Sequence, residues 1–282
     1  MKTVTTLNGL RQAVDELRSD GETLALVPTM GALHEGHLTL VREASKHADH
    51  VAASIFVNPR QFGENEDLDA YPRQLARDEE LLAAEGVALV WAPTPEAMYP
   101  DGYATNISVA GVSDGLCGDD RPGHFDGVST VVCKLFNQVR PNMAFFGEKD
   151  WQQLAVIRRM SRDLDLTMPS VDAIHGVPTV READGLAMSS RNAYLSQEQR
   201  AAAANIPVAM AEAREAIRKG SEVAPTLAAL QAHLLQAGFE KIDYAELRDA
   251  DSIGLLDANN GNARLFVAAR IGATRLIDNI AV

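Results

Sequence analysis

The feature that most limits how this chain can fold is a series of short, predominantly apolar segments, each followed by a stretch with helical spacing. Residues 23–27 (TLALV), 51–57 (VAASIFV), 87–91 (VALVW) and 143–146 (MAFF) are too short for helices and read as buried strands. Between them, residues 37–48, 75–85, 128–139 and 151–164 carry apolar side chains three and four apart, as do residues 7–17 near the start. Pro28 stops the first strand, Asn58-Pro59 the second, and Gly86 closes a helix. With a further strand at 171–174, this alternation predicts a doubly wound α/β unit, a parallel sheet covered by helices, over residues 1–175.

The texture then changes. Residues 196–219 are alanine-rich and helical, with Ser196 as N-cap followed by Glu198 and Gln199, and 225–237 is a second helix. Residues 239–247, 263–269 and 274–280 are strand-like. We expect a smaller α+β unit over 176–282.

Composition sets outer limits on function. With 282 residues, 46% of them hydrophobic, the chain has ample material for two cores. A net charge of −13 repels a phosphate backbone, so general nucleic-acid binding is not expected, although a local cationic pocket for one nucleotide is compatible with it. The two cysteines match no metal-ligand spacing and suggest a reducing, cytoplasmic setting. The first twenty residues lack the apolar core of a secretory signal, and no apolar run is long enough to span a bilayer.

Three segments carry residues suited to phosphate chemistry. In residues 28–37 (PTMGALHEGH), Gly31 and Gly36 permit a tight turn between strand and helix, and a helix N-terminus favours an anion. His34 and His37 are spaced to face one pocket and to donate to phosphate oxygens. A zinc site is disfavoured, because the zincin pattern needs H-E-x-x-H on a continuous helix and this segment reads H-E-G-H. Residues 147–150 (GEKD) again follow an apolar strand, placing Lys149 at the carboxyl edge of the sheet, where ligands bind in open α/β folds. Residues 188–192 (MSSRN) supply hydroxyls and a planar, permanently charged guanidinium. Each has a plainer alternative: a glycine turn with surface histidines, a solvated charged turn, and the N-cap region of the next helix. Two further blocks, residues 58–63 (NPRQFG) and 123–128 (GHFDGV), read as shaped loops, in which Asn58 and Gln61 are candidates to hydrogen-bond a polar substrate.

These blocks, with YPR at 71–73, FFGEKD at 145–150 and VREADGLAMSSRN at 180–192, occur in an order that resembles the pantothenate synthetase (pantoate–β-alanine ligase) family. The His34–His37 segment also resembles the HIGH signature of a wider nucleotidyltransferase superfamily. The resemblance implies a homodimer with a Rossmann-like N-terminal domain, and ATP-dependent ligation of pantoate to β-alanine through a pantoyl adenylate, releasing AMP and pyrophosphate. It implies that Met30, Gly31, Ala32, Leu33, His34, Glu35, Gly36 and His37 line the ATP site, with Gly147, Glu148, Lys149, Asp150, Val180, Met188, Ser189, Ser190 and Arg191. The residues acting on phosphate are then His34, His37, Lys149, Ser189 and Arg191, and the family pattern marks His37 as a proton donor. Gln61 and Gln153 would bind pantoate, with Gln61 also facing β-alanine. Pro28, Val131, Val132 and Phe146 would hold pantoate's dimethyl group. Mg²⁺ is expected on the triphosphate, without protein ligands assigned. A nucleotidyltransferase that stops at AMP or CMP transfer shares the first segment but gives no reason for NPRQFG and GHFDGV. A non-catalytic nucleotide-binding module leaves the three cationic segments unexplained.

Overall fold

A computed structural model describes residues 1–63 and 68–282. Six parallel strands form the larger sheet: β1 (Lys2–Val4), β2 (Leu24–Thr29), β3 (His50–Ile55), β4 (Leu89–Trp91), β5 (Met143–Gly147) and β6 (Ile174–Val177). Their spatial order is β1-β4-β3-β2-β5-β6. The helices are α1 (Leu7–Leu17), α2 (Glu35–Ala44), α3 (Leu75–Ala84), the short α4 (Pro95–Met98) and α5 (Cys117–Asp120), α6 (His124–Val139) and α7 (Trp151–Asp163).

Strict alternation inside the apolar runs explains why they are apolar throughout. Leu24 and Leu26 of β2 join the core under α1, α6 and α7, while Ala25 and Val27 join the core under α2 and α3. Leu89 and Trp91 divide from Val90, and Ala144 and Phe146 from Phe145, in the same way. Neither face of these strands meets water, so a polar side chain at any of these positions would lose its hydration.

The smaller sheet is antiparallel, β7 (Lys241–Asp249), β8 (Ala263–Ile271) and β9 (Thr274–Ala281) in that order. Helices α8 (Gln197–Ala203), α9 (Asn205–Arg218) and α10 (Val223–Gln236) accompany it, and α9 and α10 supply Ile206, Met210, Ile217, Leu230 and Leu234 to its core. Ser196 caps α8 through a capping box with Gln199, as expected. The single helix expected over 196–219 is broken at Ala204. Pro207 lacks an N–H and is tolerated in the first turn of a new helix, so the chain restarts at Asn205.

Other differences have local causes. The first strand runs past Pro28 to Thr29, and β1 was not anticipated because it is only three residues long. The strand expected at 171–174 lies at Ile174–Val177, so a cut at residue 175 passes through β6. The GHFDGV loop is instead the first turn of α6, entered from Gly123 in the left-handed region (φ 78°).

Candidate active site

The crevice follows from the strand order. After β2 the chain turns to one face of the sheet to form α2, whose Leu40, Val41 and Ala44 pack in one core. After β5 it turns to the other face to form α7, whose Leu154, Ile157 and Met160 pack in the other. The neighbouring strands β2 and β5 thus send their loops apart, leaving a cleft at their carboxyl ends.

Into that cleft the structure brings Met30, His34, Gly36 and His37 from the first turn, and Gly147, Lys149, Asp150 and Gln153 from the second. Val180, Met188, Ser189, Ser190 and Arg191 close one side. Pro28, Val131, Val132 and Phe146 form an apolar wall, joined by Leu40, Phe56, Val128 and Leu135. The three phosphate-suited segments therefore share one site, with Gln61 on its rim.

The two histidines have defined roles. Helix α2 begins at Glu35 rather than at His37, and His34 is its N-cap. His34 Nδ1 accepts from the Gly36 N–H at 3.1 Å, and His37 Nδ1 accepts from the His34 N–H at 3.3 Å. Each Nδ1 is thus an acceptor, which puts the proton of the neutral ring on Nε2. A Cβ on Gly36 would lie 2.8 Å from His34 Cε1, so only glycine admits the ring there. Burial, then the neighbouring His34, pushes His37 down to about 3. Burial, then Lys149, lowers His34 as well. Both are neutral Nε2–H donors at pH 7. The Gly36 N–H expected to greet phosphate is already capped by His34.

Other residues of the two turns have partners within the protein. The Ala32 and Leu33 N–H groups both donate to the Asp78 carboxylate, at 2.9 Å each. Leu33 is buried in the core beneath α2, and Gly31 packs its Cα against Asp78 and Ile55. Glu35 is exposed and paired with Arg42. Glu148 turns away to Arg264, 3.5 Å distant. Gly31, Ala32, Leu33, Glu35 and Glu148 thus have these partners within the protein, in the turns that reach the cleft.

Asn58 is tied into the protein on every side. It is 1% exposed, and its Nδ2 donates to Gln61 Oε1 and to the Gly127 carbonyl, both at 3.1 Å. Its Oδ1 accepts from the Tyr99 hydroxyl at 2.9 Å and from the Arg60 N–H at 3.3 Å. Its bonding capacity is filled within the protein, where it holds Gln61, and it also lines the cleft. His124 supports the same residue. Arg121 can only donate to His124 Nε2 (3.0 Å), so Nδ1 carries the proton toward the Gln61 carbonyl at 2.8 Å.

Sequence reasoning missed Asp78, Arg121 and Tyr71. Asp78 had a usable signal: it falls between Leu75 and Leu82 at helical spacing, a carboxylate on an apolar face. Gly127 is a second structural necessity. A Cβ there would sit 2.2 Å from the Arg60 carbonyl oxygen and 2.7 Å from the Gln61 nitrogen. Gly127→Ala is expected to cost about 1–3 kcal/mol through overpacking. It should also raise the KM for the substrate held by Gln61 roughly tenfold, since about 1.4 kcal/mol of lost binding is a factor of ten. Urea melts and substrate titration check the two effects, and an unchanged KM would detach Gln61 from binding.

A Rossmann-like sheet with cationic and imidazole donors gathered at its switch point defines an α/β enzyme of the nucleotide-binding class. Comparison with known proteins narrows this: the family model described as pantoate-beta-alanine ligase matches residues 2–281. The chain belongs to that family. It is 68% identical to the pantothenate synthetase of Novosphingobium aromaticivorans over 100% of this chain and 99% of the relative. It is 59% identical to that of Sphingopyxis alaskensis, covering 97% and 96%. The crystal structure of pantothenate synthetase from Thermus thermophilus superposes with a TM-score of 0.93 at 46% identity, covering 100% and 99%. The pantoate-beta-alanine ligase of Francisella tularensis, complexed with beta-gamma ATP and beta-alanine, gives 0.83 at 33% identity, covering 100% and 97%.

Proposed function

We infer that the cleft performs both half-reactions of an ATP-dependent ligation of pantoate to β-alanine. In the first, a pantoate carboxylate oxygen attacks the α-phosphorus of ATP, and pyrophosphate leaves. In the second, the neutral amine of β-alanine attacks the acyl carbon, the acyl–phosphate bond breaks, and AMP leaves. The observation that carries this reading is the convergence of three separate donor segments on one cleft that also holds an apolar wall and the carboxamides of Asn58, Gln61 and Gln153.

The protein's task is alignment and charge stabilisation. Gln61 and Gln153 orient pantoate's polar end, and Pro28, Val131, Val132 and Phe146 fit its dimethyl carbon. The Nε2–H groups of His34 and His37, with Lys149, Ser189 and Arg191, meet charge developing on the phosphate oxygens. Asp150 is the carboxylate on the cleft wall among the described residues, where no cluster of three or more metal-ligating side chains occurs. That suits a Mg²⁺ carried in on the triphosphate, which asks for only one or two carboxylates. Asp150 would hold it, and the ion would supply neutralisation of the leaving group.

Residues 178–282 act in this reading as the unit that covers the adenylate and keeps water from it. A homodimer and a cytoplasmic setting belong to the same proposal. Both cysteines are buried and unbonded, in keeping with a reducing compartment. Among the described residues, no helix is long and apolar enough to cross a membrane.

The test is exchange of labelled pyrophosphate into ATP, which should require pantoate and not β-alanine. AMP should then accumulate only when β-alanine is added. Exchange without pantoate, or AMP release indifferent to β-alanine, would overturn the reading.

A further inference from the structure

Two of the cleft's three donor segments are distant pieces of chain: the turn after β5, which carries Lys149, and the arm at 180–191, which carries Ser189 and Arg191. Nothing in the motif sequences fixes one relative to the other. We propose that the dipeptide Asp278-Asn279 of β9 does so, and that Asn279 is a positioning residue for adenylate formation, acting through the backbone of Lys149.

Asn279 is 4% exposed and Asp278 is 3% exposed. Asn279 Nδ2 donates to the Glu148 carbonyl at 3.0 Å and to the Lys149 carbonyl at 2.8 Å. Its Oδ1 accepts from Arg264, and because arginine can only donate, that bond fixes which way the carboxamide faces. Arg264 is itself held flat, 3.6 Å above the Trp151 ring, and its other edge meets Glu148. Both amide hydrogens of Asn279 are therefore committed to the two successive carbonyls that bracket the Lys149 turn.

Asp278 faces the other way, as alternate residues of a strand must. Its carboxylate takes Arg181 bidentately, at 2.6 and 3.0 Å. Arg181 pairs with Ala187 across the arm and donates to the Gly185 carbonyl at 2.9 Å. The Met188 N–H closes the arm on the Val180 carbonyl at 2.9 Å. One rigid strand thus grips the Lys149 turn with one residue and the base of the Ser189–Arg191 arm with the next.

The chemistry explains the need. Transition-state charge on the triphosphate is shared between donors on both pieces, so their separation decides whether both bond at once. A carboxamide is suited to the task because it presents two parallel donors without charge. An aspartate of the same size offers none.

This inference rests on the adenylation reading of the cleft, and the experiment separates the two. Pantoate-dependent pyrophosphate exchange in the unsubstituted enzyme tests that reading alone. Asn279→Asp keeps the volume and gives Arg264 a stronger acceptor, but removes both donors to Glu148 and Lys149. We expect its kcat for exchange, normalised to the folded fraction from the thermal melt, to fall at least ~10-fold, within the ~10²-fold that a misplaced group can cost. The KM for pantoate should stay within about twofold, because Gln61 and Gln153 are untouched. Asn279→Ser, which retains one donor, should fall between the two and serves if Asn279→Asp folds poorly. Lys149→Ala should cost several-fold less in the Asn279→Asp background than in the unsubstituted enzyme, since residues acting as one unit are not additive. Unchanged kcat per folded molecule, or a Lys149→Ala effect that adds fully, would reduce Asn279 to a packing residue and overturn the proposal.

Discussion

Lys149→Ala is expected to slow pantoate-dependent pyrophosphate exchange by at least ~10²-fold, about 2.7 kcal/mol of barrier, the scale for one pre-organised donor. The side chain stands on a tight turn at the carboxyl end of β5 and is 21% exposed. Its ionic partner is Asp150 at 3.7 Å, a contact too long and too wet to hold the ammonium away from an arriving phosphate. The backbone beneath it is fixed by Asn279, so little ordering remains to be done when ATP binds. Lys149→Arg keeps the charge on a longer, forked group and should recover part of the rate. Both variants should melt within a few degrees of the unsubstituted enzyme, because a partly exposed side chain without a strong partner contributes about ±0.5 kcal/mol or less. Near-normal exchange in Lys149→Ala would remove Lys149 from the chemistry.

The parts of the molecule legible in the sequence are those where one local pattern has one physical meaning. The runs LALV (24–27), VALVW and MAFF announce two-faced burial because every position is apolar, and each divides its side chains between two cores. The placing of His34, His37 and Lys149 was readable because they closely follow such strands, which puts them at the sheet's carboxyl edge. The illegible parts depend on long-range pairing. The Ala32 and Leu33 N–H groups are held by Asp78, forty-six and forty-five residues on, which no local pattern announces. The bonds that tie Asn58 to Tyr99 and Gly127 likewise span the chain and are invisible in its local sequence. Asp278 and Asn279 lie in an ordinary-looking strand, and only the packing of the two sheets shows what they hold. The break at Ala204 was within reach, since Pro207 is written in the sequence; the alanine-rich run around it concealed the signal.

His37→Ala should also cost roughly 10²-fold in exchange, for a reason that pH can examine. The imidazole is neutral, with Nδ1 bound to the His34 N–H and Nε2–H left for the ligand. Alanine removes that donor and also half of the reciprocal cap on α2, which adds about 1 kcal/mol of destabilisation. Gln in place of His37 retains a neutral donor and should recover part of the rate. Because burial holds His37 at about 3, its ionisation lies outside the working range. The kcat/KM profile between pH 5 and 8 should therefore have the same inflections in the unsubstituted enzyme and in His37→Gln, all belonging to the substrates or to other groups. Stability gives an independent reading with a definite sign. Between about 3 and the ordinary 6.5, the unfolded chain binds a proton at this position and the native chain does not. Stability from this group is thus full above 6.5 and falls as the pH drops toward 3. His37→Gln should lose less stability than the unsubstituted protein over that window in urea melts at fixed ionic strength. A steeper loss in the variant, or a kcat/KM inflection near 6.5 that disappears only with His37, would mean that the ring is charged in the free protein and acts as an acid.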